Sequence, residues 1–308
     1  MSSAVVFAYH NVGVRCLSVL LAHGVEVPLV VTHRDNPQEN IWFDSVAELA
    51  KLHGIPVITP DNPNIEDVIA QIRDMRPDFF FSFYYREMLK PELLRIPGRG
   101  ALNMHGSLLP LYRGRVPVNW AIIKGEKETG ATLHYMTEKP DNGDIVAQQA
   151  VPIRPDDTAL EVFSKVTVAA EITLNNALPD LLAGRARAVS QVLSKGAYFG
   201  GRKPEDGVID WSQSAPAIHN LVRAVAPPYP GAMTGLMGRP MRILQTLVTR
   251  CSASGQPPSF YVKEGKAYAI CGNGVLRVVR FELDGVEMSA AEFAARRGEE
   301  KFEFNSAE

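Results

Sequence analysis

The 308-residue sequence predicts an α/β fold, a parallel sheet with crossover helices followed by a smaller β-rich domain. Three observations carry this. Short apolar runs alternate with amphipathic helical patterns through the first half of the chain. Glycine and proline stand at the borders between them. Beyond residue 203 the pattern changes to short strand-like runs separated by turn residues.

The elements follow in order. Residues 4–9 (AVVFAY) read as a buried strand. Val14, Leu17, Leu20 and Leu21 share one face of a helix that stops at Gly24. Residues 25–33 form the next strand, 44–54 a helix ending in Gly54, and 55–60 a third strand. A helix over 65–77 is stopped by Pro77, and 78–86 (DFFFSFYYR) is a buried strand. A short helical piece over 88–98 precedes the strand 99–106. Residues 131–136 (ATLHYM) pair with 144–153 across Asn142-Gly143, a hairpin signal. A long helix spans 158–184, capped near Asp157 or Thr158 and ending at Gly184. Glycine and charge concentrate in 196–207, which divides the chain into domains 1–203 and 204–308. The second domain opens with a helix in 214–231 and continues with the strand-like runs AMTGLM, RPMRILQTLVT, AYAICGN and VLRVVRFEL.

Composition narrows the function. Hydrophobic residues at 46% and charged residues at 21% describe an ordinary globular protein rather than a disordered one. No apolar run approaches the ~20 residues of a membrane span. The start, MSSAVVFAYHNVG, lacks the basic and apolar regions of a signal peptide. Cys16, Cys251 and Cys271 are scattered, so neither a disulfide framework nor a zinc site is expected. A cytoplasmic protein without a metal fits both observations. A formal net charge of −2 argues against nonspecific nucleic-acid binding. HNVGVRC after the first strand has no G-x-G-x-x-G, which argues against a dinucleotide-dependent dehydrogenase.

The chemistry concentrates in NMHGSLLP (103–110) and DNGD (141–144). Asn103 and His105 are two apart, so on a strand they face the same side. An amide N–H can meet a developing oxyanion, and an imidazole can pass a proton near neutral pH. Asp141 can orient His105 and raise its pKa by pairing with the protonated ring. Gly106 permits a turn or a close approach by a ligand. Taken alone, N-x-H-G also suits a strand end with a satisfied core histidine, and Asp141 suits a turn. Ser107 lacks a G-x-S-x-G context and reads as structural.

The segments 103–136 and 140–146, with their 38-residue spacing from Asn103 to Asp141, resemble the 10-formyltetrahydrofolate-dependent formyltransferases. VVFAYHNVG (5–13), THRDNP (32–37), PDNPN (60–64), FSFYYR (81–86), FGGRKPEDG (199–207) and VRAVAPPYPGA (222–232) extend the likeness over nearly the whole chain. Within the family these segments are most similar to the UDP-4-amino-4-deoxy-L-arabinose formyltransferase part of bifunctional polymyxin-resistance proteins. The resemblance implies a Rossmann-like parallel-sheet formyltransferase domain followed by a small, open, OB-like β-barrel domain. It implies that His105 is the acid/base, that Asn103 stabilises the tetrahedral intermediate and that Asp141 tunes the histidine.

The implied co-substrate is 10-formyltetrahydrofolate, without a metal. Its pteridine would be held by backbone groups of Glu87, Met88 and Leu89 and of Thr137, Glu138, Lys139, Pro140 and Asp141. Arg115 matches a carrier-binding position, or is a solvated loop arginine. Tyr84, Tyr85 and Arg86 would shape the wall of the site. The implied acceptor is the UDP-linked aminosugar, a precursor of lipid A modification. The alternatives are methionyl-tRNA and another nucleotide-linked aminosugar. The loop 34–45 carries one arginine against three acids, unlike a tRNA reader. Arg202, Lys203 and Arg223 are either diphosphate partners or plain surface charge. His23, His33, His53, His134 and His219 read as structural, and His10, at a strand end, as the exception to watch.

Overall fold

A computed structural model describes residues 2–253 and 255–305. Met1, Ser254 and 306–308, which fall within the expected domains 1–203 and 204–308, lie outside the described residues. The chain divides into two compact units. One comprises Met1–Pro117, Glu128–Pro152 and Phe163–Gly200, and the other Val118–Lys127, Ile153–Val162 and Gly201–Glu308.

In chain order the first elements are β1 (Ser3–Ala8), α1 (His10–Ala22), β2 (Glu26–Val31), α2 (Val46–Leu52), β3 (Val57–Ile58), α3 (Glu66–Asp74), β4 (Phe79–Phe83), α4 (Pro91–Leu94) and β5 (Ala101–His105). There follow β6 (Arg113–Gly114), α5 (Pro117–Ile123), β7 (Glu128–Tyr135), β8 (Ile145–Pro152), α6 (Ala159–Leu182) and β9 (Tyr198–Phe199). The main sheet has the order β3-β2-β1-β4-β5-β7-β8. Strands β3 to β5 pair in parallel, as expected. The β5–β7 and β7–β8 pairs are antiparallel, so the sheet is mixed rather than parallel throughout. The Asn142-Gly143 signal does not close a two-residue hairpin. The whole segment 136–144 joins β7 to β8, and Asp141 within it has φ 55°.

Strand β4 is buried at every position, because a sheet covered on both faces needs apolar residues on both. On one face Phe81 stacks on Phe83 with centroids 5.8 Å apart. On the other, Phe80 joins Val5, Phe7, Leu29, Val31 and Ile72. The chain crosses from β3 to β4 over β1, so β1 and β4 flank the point where strand order reverses. Ligands of open α/β sheets gather beyond the carboxyl ends of the strands at such a point.

The second unit holds α7 (Ala215–Ala224), then β10 (Ala232–Leu236), β11 (Arg239–Val248), β12 (Ser259–Lys263), β13 (Lys266–Ile270), β14 (Val275–Leu283), β15 (Val286–Met288), α8 (Ala290–Arg297) and β16 (Phe302–Asn305). The order β11-β10-β16-β12-β13-β14 returns to β11 through the β11–β14 pairing. The barrel is therefore a closed six-strand ring, not an open one, with β15 attached outside. Strands β12 and β16, which complete the ring, are short and pair through Ser259 with Glu303 and Phe260 with Phe302, beyond the reach of local patterning. Phe260, fully buried, meets Phe281 at 5.2 Å and Phe293 at 4.9 Å in edge-on contacts. Helix α8 starts with a capping box between Ser289 and Glu292. No helix among the described residues is long and apolar enough to cross a membrane.

Removing the Phe260 ring leaves a cavity in the centre of this aromatic cluster. Phe260→Ala should lower unfolding stability by about 3–5 kcal/mol, read by denaturant titration. A loss below about 1 kcal/mol would mean that the barrel core repacks around the gap.

Candidate active site

Strand β5 delivers Asn103 and His105, and its antiparallel register with β7 sets their neighbours. Asn103 stands opposite His134, and His105 opposite Thr132. Opposed residues of an antiparallel pair project to the same face. Asn103 Nδ2 accordingly lies 3.2 Å from His134 Nε2. The sequence places His134 among the structural histidines, whereas the structure puts it against Asn103. The signal was available, because T-L-H on β7 repeats the alternation of N-M-H on β5.

Thr132 organises the turn that follows His105. Its hydroxyl donates to the Ser107 carbonyl at 2.6 Å and accepts the Leu109 N–H at 3.2 Å. Ser107 Oγ donates to the Leu111 carbonyl at 2.6 Å, a structural role as expected. His105 is 7% exposed, and its Nε2 lies 2.8 Å from the Tyr112 carbonyl. A carbonyl only accepts, so Nε2 carries hydrogen. Nδ1 faces Asp141 Oδ1 at 3.5 Å. A ring held between a carbonyl and a carboxylate can take up and release a proton without reorienting.

Asp141 is brought to this point by the segment 136–144. Its Oδ2 accepts the Gly114 N–H at 2.8 Å, and its Oδ1 lies 3.5 Å from His134 Nε2. Gln191 Nε2 donates to the Asp141 carbonyl at 2.9 Å and the Gly143 carbonyl at 2.6 Å. Arg113 donates to Asn142 Oδ1 at 2.8 Å. Gly114 has φ 100°, and a Cβ there would strike the Phe199 carbonyl. Burial pushes the Asp141 carboxyl up. The facing His105 leads the groups that outweigh it, with the Gly114 N–H among them, and its pKa falls to about 2. Asn103, His105 and Asp141 thus converge, with His134 as a fourth member.

The ends of β1 and β4 carry a second group. His10 has φ 67° and stacks on Phe43 with centroids 3.9 Å apart, flanked by Trp42 and Phe163 at 4.7 Å. Burial, followed by the charge of Arg86, lowers its pKa to about 3, so the ring is neutral at ordinary pH. Tyr84, with φ 57°, packs edge-on to Phe163 at 5.6 Å and lays its hydroxyl against the backbone of Gly106. Gly106 therefore admits a tyrosine rather than a ligand. Arg86 grips Glu39 through two bonds of 2.9 Å and lies 4.8 Å over the Tyr9 ring. His33 stacks on Tyr85 at 4.2 Å and accepts the Arg86 N–H at 3.0 Å. A cavity of about 320 Å³ opens beside them, lined by Tyr9, His33, Asp35, Phe43 and Asp44, and none of Asn103, His105 and Asp141 borders it.

The remaining candidates divide. Leu89 is buried in the core, while Glu87 and Met88 are exposed. Asn64 clamps this loop, donating to the Met88 carbonyl at 2.9 Å and accepting the Lys90 N–H at 2.7 Å. Thr137 Oγ1 donates to the Lys139 carbonyl at 2.8 Å, Glu138 pairs with Arg95 at 3.7 Å, and Pro140 leads into Asp141. Arg115 is exposed, with its N–H on the Phe199 carbonyl at 2.9 Å. Arg223 does not fit a diphosphate partner. It is 6% exposed and donates to Asn220 Oδ1 and to the carbonyls of Arg154 and Asp157. Lys203 is exposed, and Arg202 is half-buried. Among the described residues no group of three or more His, Cys, Asp or Glu side chains is arranged to hold a metal ion.

Two outcomes follow. The Asp141 carboxyl titrates lower in the folded chain than in the unfolded one. Its stabilisation is therefore full above pH about 4 and is lost as pH falls towards 2. Asp141→Asn should cost on the order of 2 kcal/mol at pH 7 and much less near pH 2.5. An equal cost at both values in urea titrations would refute the charge argument. Separately, Gly106→Ala forces its methyl into Tyr84 and should cost about 1–3 kcal/mol. Tyr84→Phe in the same chain should recover part of that loss in thermal unfolding, and additive losses would place the strain elsewhere.

Comparison with known proteins identifies the family. The formyl transferase family model matches residues 17–178, more than half of the chain, and the formyl transferase C-terminal domain model matches 202–298. The fold is similar to that of an N-formyltransferase from Helicobacter canadensis solved with folinic acid and dTDP-3-aminofucose, at 21% identity and TM-score 0.69 over 90% of this chain and 99% of that one. It is similar to WlaRD, a sugar 3N-formyl transferase solved with dTDP and 5-N-formyl-THF, at 19% identity and TM-score 0.69 over 90% and 97%. HypX from Aquifex aeolicus, solved with tetrahydrofolic acid, aligns at 16% identity and TM-score 0.63 over 95% of this chain and 47% of that one. With both family models matched in order along a chain whose amide, imidazole and carboxylate converge at a strand end, the chain belongs to the formyl transferase family.

Proposed function

We propose that this protein transfers a formyl group from 10-formyltetrahydrofolate to the amino group of a nucleotide-linked sugar. The observation that carries the reading is the convergence of Asn103, His105 and Asp141 in a member of the family. The acceptor amine attacks the formyl carbon and forms a new N–C bond. Negative charge then gathers on the formyl oxygen, where the Asn103 amide donates. Collapse breaks the bond from carbon to the folate nitrogen N10. The amine gives up a proton to His105, and N10 takes one as it leaves, which yields the formamide and tetrahydrofolate. Asp141 holds His105 in position through this exchange.

Local geometry supports the residues expected at the pteridine. Asn64 fixes the backbone of 87–90 while Leu89 anchors it in the core, so Glu87, Met88 and Leu89 can offer main-chain groups in a set geometry. Thr137, Glu138, Lys139 and Pro140 lead directly into Asp141, which links the carrier to the catalytic group. Arg115, exposed beside Gly114, is suited to the acidic part of the carrier. In this reading 1–203 is the catalytic domain and 204–308 the C-terminal one.

For the acceptor, the similar structures from Helicobacter canadensis and of WlaRD were solved with dTDP-linked or dTDP ligands. The segments THRDNP and FSFYYR favour the branch of the bifunctional polymyxin-resistance proteins, whose acceptor is UDP-4-amino-4-deoxy-L-arabinose. The acidic balance of loop 34–45 supports a small acceptor over a tRNA.

The test offers UDP-4-amino-4-deoxy-L-arabinose and methionyl-tRNA side by side with 10-formyltetrahydrofolate. The sugar nucleotide should be formylated faster, and faster use of the tRNA would overturn the assignment. His105→Ala should lower kcat at least tenfold, typical of a lost general acid/base being 10²–10⁴-fold, while the variant still folds and unfolds cooperatively on heating. A variant that keeps more than a tenth of the rate would remove His105 from the acid/base role.

A further inference from the structure

We propose that His134 is a positioning residue whose ring fixes the direction of the Asn103 amide, so that Asn103 presents N–H rather than C=O to the formyl oxygen. The proposal rests on the reading of Asn103 as the oxyanion donor. An asparagine amide is nearly symmetric in shape, and nothing in the backbone of β5 distinguishes its two orientations. One of them places a donor at the developing charge. The other places a carbonyl there, which repels it.

The neighbours of His134 break this symmetry. The ring is 1% exposed, and its Nδ1 lies 2.8 Å from the Tyr135 carbonyl. That carbonyl can only accept, so Nδ1 carries hydrogen. A neutral imidazole then has its lone pair on Nε2, and Nε2 is the atom 3.2 Å from the Asn103 amide. The group facing it must be the amide nitrogen. One N–H of Asn103 is thereby used on His134, and the second remains for the reacting oxygen.

The other neighbour of Nε2 is Asp141 Oδ1, at 3.5 Å. A hydrogen on Nε2 would turn towards this carboxylate or towards a reversed Asn103 carbonyl, and either would undo the arrangement. The same oxygen also stands 3.5 Å from His105 Nδ1. With Nε2 of His134 committed to Asn103, the carboxylate is left to His105. The cross-strand register supplies the alignment, because Asn103 and His134 are direct partners on β5 and β7.

Two measurements test this. Long-range ¹H–¹⁵N spectra of histidine-labelled protein, with His134 assigned by substitution, report the tautomer without any catalysis. A protonated Nδ1 and a pyridine-like Nε2 are expected at neutral pH, and a protonated Nε2 would overturn the proposal even if the protein proves to be a formyltransferase. The second is a double-mutant cycle in the formylation assay. His134→Phe fills the space without an acceptor and should lower kcat about 100-fold, with KM for both substrates within about twofold. His134→Gln restores an acceptor oxygen and should recover about tenfold of the loss. In an Asn103→Ala background, His134→Phe should cost less than about threefold. Equal costs in both backgrounds would show that His134 only supports the fold. If His134→Phe does not fold, the Gln variant and the spectra still decide. Wild-type protein inactive towards every aminosugar would count against the proposed function alone.

Discussion

The antiparallel pairing of β5 with β7 is the constraint on which the site depends. A parallel sheet alone would bring Asn103 and His105 to a strand end and leave them beside the next crossover. The reversal of β7 instead sets a second alternating strand against them, residue for residue. Thr132 then ties the turn after His105, and His134 meets Asn103. A slip of one residue would exchange His134 for Leu133 or Tyr135 and turn the whole set to the other face. The mixed character of the sheet is therefore tied to the chemistry.

Asp141 supplies the charge around which this arrangement closes. It sits within hydrogen-bond or ion-pair reach of Gly114, His105 and His134, and it is nearly buried. A carboxylate in that position keeps its charge because the facing His105 and the Gly114 N–H offset its burial. Its left-handed backbone, the Gln191 amide and the Arg113 guanidinium hold the segment 136–144 so that it points inward. The supporting residues come from three stretches of chain.

Much of the fold was legible in the sequence because its signals are local. β1, β2, β4 and β5 are apolar runs with clear borders, and α1 and α3 show one apolar face each. The pairing of Asn103 with His105 needs only the period of a strand. What escaped depends on partners far along the chain. His134 acquires its place from a register set 31 residues away. Gly106 looks like a turn glycine until Tyr84 is seen against it. Arg223 looks like a free cation until the carbonyls of Arg154 and Asp157 are seen around it. The barrel closes through β11 and β14, a pairing that neither strand announces.

That closure removes strand edges from the barrel. An unpaired strand edge is a template on which another chain can add, and a ring has none. Among the described residues, the strands of the two seven-stranded sheets left with a free side are poor templates. β3 has two residues and β15 three. β8 is longer, yet Ile145 at its start is bridged to Val189, and it ends in Pro152, which has no N–H to offer. Among the described residues, these two sheets thus offer little free strand edge to an added chain.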